Sequence, residues 1–302
     1  MIDLAFKRPG LEDIHTINTY FALSVGASCE RTFSNALLWA KDYKVTYAIL
    51  EETVIFRSDL EEVPRYSIPI GKAAQMKKAL EEMLEHFQES GEEIYFYNVL
   101  EEEFALLESW YPGKFQIDYD RDLADYVYDR EKLATLAGKK LHSKRNHINR
   151  FKKENPDWIY ESISDENIEE CFQMALKWRN LNGCEENEEK NQEMCVTMNS
   201  LRLRKELGLK GGLLRIGGKI VAITLGEAIS EEMFCVHVEK AYQDVEGAYP
   251  MVNQQFVLAE CADYKYINRE EDAGQEGLRK AKMSYRPEFL VEKGIVRKKQ
   301  SA

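Results

Sequence analysis

Residues 264–290 read YKYINREEDAGQEGLRKAKMSYRPEFL, and this stretch decides how the chain is organised. Lys265 to Asn268 form a short strand pattern with Tyr266 and Asn268 on one side. The acids Glu270, Glu271 and Asp272 follow, then Gly274 and Gly277, a short helix bearing Arg279, Lys280 and Lys282, and a Tyr285-Arg286-Pro287 stop. A strand that ends in charged groups ahead of a glycine-loosened helix is where α/β folds place ligands. Strand ends open onto a crevice there, and the helix start offers unpaired N–H donors. The active or binding site is expected here.

Working upstream, Ala248 to about Tyr264 reads as a helix with Pro250 in its first turn, where a missing N–H costs nothing. Before it lies a strand, Met233–Lys240, with Phe234, Val236 and Val238 on one face and Cys235, His237 and Glu239 on the other. One face is core and the other points at something polar. Gly212–Ile216 and Lys219–Ala228 are apolar runs joined by Gly217-Gly218, a hairpin signal because both central turn positions require positive φ. A strand over Asp157–Ile163 and two helices, one starting at Ser164 and one spanning the charged run 185–193, precede the hairpin. With a last strand over Phe289–Val296, the order is β-α-α-β-β-β-α-β-α-β.

The first half is also mixed α and β. Helices are expected over 11–23, 31–41, 71–90 and Glu102–Trp110. Strands are expected over Val45–Leu50, Thr53–Arg57, Tyr66–Ile70, Glu93–Val99, Phe115–Tyr119 and Ala124–Tyr128. The 71–90 helix shows the clearest apolar stripe (Ala73, Met76, Leu80, Met83, Leu84, Phe87), with Gly91 just past its end. This half contains no nucleotide loop, G-x-S-x-G or H-E-x-x-H motif.

At 302 residues, with 44% hydrophobic and 31% charged positions, the chain has ample material for two domains. The expected division is 1–128 and 129–302. No apolar run approaches 18 residues and the first residues lack a signal-peptide pattern, so a cytoplasmic location is expected, with no transmembrane segment. None of the six cysteines is spaced C-x-x-C, and no Cys/His set has zinc-finger spacing, so reduced thiols and no metal are expected. A net charge of −12 argues against general affinity for nucleic acid or anionic membrane.

Locally the balance reverses. The entry helix of the second domain, 138–154, carries seven Lys or Arg between Lys139 and Lys153 before its first acid, Glu154. Leu141, Ile148 and Phe151 give it an apolar edge. Seven mutually repelling cations are either a solvated face or a phosphate-binding surface. In the second case Lys140, Lys144, Arg145 and Arg150 are the expected contacts to RNA or to a phosphorylated small molecule.

The order of elements matches that of GNAT N-acetyltransferases. The segments EKAYQDVEGAYPMVNQQF (239–256), YINREEDAGQEGLRKAKMSYRPEFL (266–290) and GKKLHSKRNHINRFKKE (138–154) resemble a bacterial family. That family is grouped with the C-terminal domain of phosphatidylglycerol lysyltransferases and related to the Fem aminoacyltransferases. The resemblance implies an α/β (α+β) fold of tandem GNAT-like (acyl-CoA N-acyltransferase) domains, with mixed central sheets flanked by helices. It also implies aminoacyl transfer from aminoacyl-tRNA to an amine or hydroxyl acceptor, a small molecule or a peptide. The chain departs from acetyl-CoA users at Gln243-Asp244-Val245-Glu246-Gly247-Ala248, where one glycine and two carboxylates replace the Q/R-x-x-G-x-G/A loop. A CoA-dependent N-acetyltransferase, with CoA as cofactor, is thus the alternative reading, and a non-catalytic binding protein on the same fold is a third.

An aminoacyl ester is already activated, so its transfer needs a base for the acceptor's proton and donors for the oxyanion, and no cofactor. The expected catalytic set is His237, Glu239, Glu270 and Lys280. His237 and Glu239 serve as base or acceptor-orienting groups, and Lys280 as phosphate or oxyanion contact. The expected substrate-binding set is Tyr249, Asn253, Asn268, Glu271, Asp272, Lys282 and Tyr285, with the acids holding the cationic amine of the aminoacyl group. Bland readings stand beside each: a satisfied His/Glu pair, a solvated acidic turn, a Glu276–Lys280 helix pair and a packed Tyr285.

Overall fold

The computed structural model describes residues 4–60 and 63–299. The first elements are α1 (Ile14–Phe21), α2 (Phe33–Leu38), β1 (Val45–Leu50), β2 (Thr53–Ser58), β3 (Arg65–Tyr66), α3 (Ala73–Ser90), β4 (Tyr95–Leu100), α4 (Glu101–Trp110) and β5 (Phe115–Tyr119). Then come β6 (Asp125–Asp129), α5 (Arg130–Thr135), α6 (His142–Glu154), β7 (Ile159–Ser162), α7 (Ile168–Leu181), α8 (Glu188–Arg202), β8 (Lys210–Ile216), β9 (Lys219–Ala228) and β10 (Met233–Ala241). The last are α9 (Ala248–Glu260), β11 (Tyr266–Asn268), α10 (Glu276–Met283), β12 (Phe289–Val291) and β13 (Lys293–Lys298).

The chain divides into two compact units. The first gathers residues up to Asp125, Glu271–Gly274 and those from Val291 onward. The second holds Tyr126–Glu270 and Gln275–Leu290. The C-terminal strand lies in the first unit. The single strand expected over Phe289–Val296 is two strands, β12 and β13, in different sheets. Nothing in the local sequence of β13 names its pairing partners, which lie far upstream in β4 and β5.

In the first unit the sheet order is β1-β2-β3-β4-β13-β5. The amphipathic stripe of α3 packs Met76, Leu80, Met83 and Phe87 against Ile55, Tyr66, Phe96 and Val296. Gly91 adopts the left-handed conformation that closes α3. The strand expected over Tyr66–Ile70 is shorter: β3 ends at Tyr66, and Ile70 makes an isolated bridge to Val54.

In the second unit the order is β12-β6-β11-β10-β9-β8-β7. Gly217 (φ 57°) and Gly218 (φ 74°) make the turn between β8 and β9, as their spacing required. Strand β10 runs antiparallel to β9 and parallel to β11, the latter reached through α9. Phe234, Phe256, Val252, Met251 and Ile267 fill the core that fixes β10, α9 and β11. Helix α6 lays Ile148 and Phe151 into the same core, beside Leu141 just ahead of it, and its Lys152 and Lys153 remain toward solvent. Helix α5 was not expected from the sequence; its six residues are too few to show a period.

Candidate active site

Strand β10 carries a bulge. Val236 pairs with Gly226 and Val238 with Leu225, so His237 is the extra residue. Gly226 makes the close approach possible: a Cβ there would lie 2.1 Å from the Cys235 carbonyl oxygen. The bulge sets the His237 ring between two carboxylates. Its Nδ1 lies 2.7 Å from Glu270 Oε1 and its Nε2 lies 3.1 Å from Glu227 Oε1. Cys235 Sγ is 3.6 Å from the same Nδ1.

Both ring nitrogens face carboxylate oxygens, so the arrangement suits an imidazolium that donates twice. Burial by itself lowers the imidazole pKa, but Cys235, Glu227 and Glu270 together outweigh it and hold the group well above its ordinary value. With both nitrogens engaged, His237 has no lone pair to offer an acceptor. Glu270 is the more accessible carboxylate, 23% exposed against 14% for Glu227.

Glu239, two residues beyond His237 on β10, and Arg269, just before Glu270, build a second charged cluster. Arg269, adjacent to Glu270, places its guanidinium 2.8 Å from Glu239 Oε1, and the Asn253 amide donates to Glu239 Oε2 at 2.9 Å. Glu239 is therefore fully occupied in holding Arg269. The Arg269 guanidinium lies over the rings of Tyr285 (4.9 Å) and Tyr128 (5.7 Å). Lys144 from α6 sits over the Tyr285 ring at 4.1 Å. Burial lowers the Lys144 pKa, and repulsion from Arg269 lowers it further against the pull of Glu239. Tyr285 is itself buried, and burial raises its phenol pKa.

Lys282 is buried and donates to the backbone carbonyls of Arg269 (2.6 Å) and Glu270 (3.1 Å), holding the strand end that bears both. Asn268 is buried and accepts from the Glu270 N–H at 2.7 Å, closing the turn that aims Glu270. Tyr249 is half-buried at the start of α9, and burial raises its pKa. Glu271 and Asp272 do not join Glu270. Both belong to the first unit, where Glu271 lies 3.7 Å from Lys293 Nζ, and Asp272 pairs with Arg121 at 3.4 Å and caps Gly274. Lys280 also stands apart, exposed and paired with Glu276 at 2.7 Å, as the simpler helix-pair reading has it.

On the basic helix, Lys140 is exposed. Arg145 donates to the carbonyls of Leu136 and Gly138, satisfying the C-terminal end of α5. Arg150 pairs with Glu154 at 2.8 Å and with Glu246 at 2.6 Å. Two of the four expected phosphate contacts are thus engaged within the protein.

Sequence reasoning missed Glu227, Arg269 and Tyr128. Glu227 was signalled by the hairpin register, which sets it opposite Cys235. Arg269 had no such signal, being one charge in a run of charges.

The fold is the tandem GNAT-like arrangement, with two mixed central sheets flanked by helices. The chain belongs to the family described as phosphatidylglycerol lysyltransferase, C-terminal, whose model matches residues 21–296. A conserved protein of unknown function from Bacteroides thetaiotaomicron VPI-5482 is 38% identical, with a TM-score of 0.91 over 98% of this chain and 100% of that one. L-PGS from Bacillus licheniformis shares the fold at 14% identity, with a TM-score of 0.65 over 95% of this chain and 92% of that one. An uncharacterised protein of Mycoplasmoides gallisepticum is 23% identical over 62% of this chain, a match spanning 61% of that relative. Among the described residues no helix is long and apolar enough to cross a membrane.

Proposed function

We propose that this protein transfers an aminoacyl group from aminoacyl-tRNA to the amine or hydroxyl of a small-molecule or peptide acceptor in the cytoplasm. One observation carries the reading: adjacent residues Arg269 and Glu270 set a guanidinium and a carboxylate side by side just past the end of β11. A charged aminoacyl end and an anionic nucleotide end occupy opposite sides of the bond to be broken, and a bipolar site suits such a donor.

In this reading the acceptor reaches Glu270, the more exposed carboxylate. Its nitrogen or oxygen attacks the ester carbonyl, the new bond to carbon forms, and the bond to the ribose oxygen breaks. The acceptor's proton passes to the Glu270 carboxylate and on to the departing ribose oxygen. His237 is the positioning residue that holds Glu270, and Glu239 is the one that holds Arg269. Arg269, Lys144 and Tyr285 hold the anionic part of the donor. A correctly placed base contributes about 10²–10⁴ in rate, the range against which Glu270 is to be measured.

The CoA alternative gains from one feature of the 243–248 loop. Glu246 is neutralised by Arg150, and no side chain caps the N-terminus of α9 that follows Gly247. Transfer of label from a mixed aminoacyl-tRNA pool to small amines and peptides, run beside a thermal-shift titration with acetyl-CoA, separates the two. Label transfer abolished by Glu270→Gln supports the proposal. A melting shift with acetyl-CoA and no label transfer overturns it.

A further inference from the structure

Two clusters of sulfur and oxygen ligand atoms lie inside the described residues, Cys29–Asp125–Glu271 and Cys235–His237–Glu270. In the first, Lys293 Nζ sits 2.7 Å from Asp125 Oδ1 and 3.7 Å from both Cys29 Sγ and Glu271 Oε2. The cation of that cluster is the lysine itself. The second cluster gathers its ligand atoms around an imidazole nitrogen instead.

We propose that Cys235 Sγ, His237 Nδ1 and a Glu270 carboxylate oxygen bind one thiophilic divalent cation of the zinc class. The donor set is one thiolate, one imidazole and one carboxylate, which such ions accept and hard cations such as magnesium do not. The three ligand atoms all lie within 4.8 Å of one another. In a tetrahedral zinc site a thiolate sulfur and an imidazole nitrogen stand about 3.5 Å apart, given bond lengths of about 2.3 and 2.0 Å. Cys235 Sγ and His237 Nδ1 are already 3.6 Å apart. Glu270 Oε1, at 2.7 Å from Nδ1, has to withdraw by about half an ångström. Its partly exposed side chain has room for that movement.

The surroundings fit as well. A histidine that binds metal through one nitrogen gives its other N–H to a carboxylate, which fixes the ring and its tautomer. His237 Nε2 faces Glu227 Oε1 at 3.1 Å, on the side away from the other two ligands' shared nitrogen. Cys235 and His237 come from one strand, separated by the bulge, and Glu270 follows the neighbouring parallel strand. Two ligands thus stand on β10 and the third on a turn closed by Asn268 after β11. Three protein ligands leave a fourth position on the accessible Glu270 side, the pattern of ions that also bind a substrate or water. Binding releases the thiol proton and the imidazolium proton to solvent. The C-x-H spacing on a strand escapes any search for C-x-x-C, which is why the sequence pointed to no metal.

The inference shares its pocket with the proposed transfer reading, and ion binding is read without any substrate. Protein carrying Cys195→Ser, which removes the exposed thiol, is stripped with chelator and titrated with zinc by calorimetry and with cobalt(II) by absorption. One equivalent is expected, with a sulfur-to-cobalt charge-transfer band and the visible spectrum of a four-coordinate ion. Cys235→Ser in the same background is expected to remove the band and weaken binding at least about 100-fold, and Glu227→Gln to weaken it about 10–100-fold with the band retained. Cys29→Ser is expected to change neither. Absence of a stoichiometric ion, or a band lost with Cys29→Ser and kept with Cys235→Ser, overturns the site. The cobalt spectrum of the otherwise unaltered protein needs no cluster variant to fold. Label transfer by the stripped protein, measured in parallel, tests the transferase reading separately from the ion.

Discussion

Lys293 Nζ and Asp125 Oδ1 lie 2.7 Å apart, and neither side chain has any exposed surface. Glu30 adds a second carboxylate at 2.7 Å, and the Cys29 N–H donates to Asp125 Oδ2 at 2.8 Å. Burial alone would strip the lysine of its proton, but Asp125 first, with Cys29, Glu30 and Glu271, holds its pKa well above the ordinary value. Removing one partner of such a pair leaves a buried charge uncompensated. Lys293→Met is expected to lower the unfolding free energy by about 3–5 kcal/mol in urea titrations, and Lys293→Met with Asp125→Leu to recover part of it. The exposed Lys132–Glu288 pair supplies the contrast, since Lys132→Ala is expected to leave stability nearly unchanged.

Gly226 is the residue on which the His237 bulge closes. Its replacement by alanine drives a methyl group to 2.1 Å from a backbone oxygen that has no freedom to swing away. Gly226→Ala is expected to destabilise the protein by about 1–3 kcal/mol and to reduce label transfer more than that loss of stability explains. Gly218→Ala, at a turn with open space around it, is expected to cost stability through its positive φ without any specific effect on transfer.

The two charged clusters are expected to respond differently to substitution. Glu270→Gln is expected to lower kcat by about 10²-fold or more with little change in KM, because it acts on the proton. Lys144→Ala is expected to raise KM for the donor and leave kcat nearly unchanged, because it acts on binding. Steady-state kinetics with aminoacyl-tRNA as the varied substrate reads both. A matching fall in kcat for Lys144→Ala and none for Glu270→Gln reverses the assignment.

Acid stability has a local source at Asp13. Burial pushes its carboxyl pKa up, but the Lys7 ammonium at 2.7 Å and the Gly10 N–H at 2.9 Å overcome this and hold it below the ordinary 3.8. A depressed carboxylate contributes stability that is fully present above its unfolded value and is lost as pH falls through its folded value. The stability difference between wild type and Asp13→Asn is therefore expected to be constant above about pH 5 and to shrink toward about pH 2. Urea midpoints collected across that range test it, and a difference that grows on acidification refutes it.

Much of the second unit was legible because its signals are local. The Gly217-Gly218 pair fixed a hairpin, Pro250 fixed a helix start, and alternation along 233–240 separated Phe234 and Val236 from Cys235 and His237. The convergence of His237 with Glu270 followed from that alternation and the strand end. What stayed hidden depends on pairing at a distance. A bulge has no residue signature, so the dual contact of His237 with Glu227 and Glu270 was unreadable. The three consecutive acids looked like one cluster, yet the chain passes from the second unit to the first between Glu270 and Glu271. The four cations singled out on the basic helix looked equivalent, although Arg145 and Arg150 are spent on a helix end and on neighbouring carboxylates.

Strand β13 lies between β4 and β5, so the first unit's sheet is completed by residues translated after the whole of the second unit. On the ribosome, β4 and β5 must wait with open edges until residue 298 emerges, and unsatisfied edges are what chaperones and aggregation act upon. A fragment cut after residue 128 carries the same gap permanently. Biosynthesis of this protein is therefore committed to finishing its N-terminal sheet last.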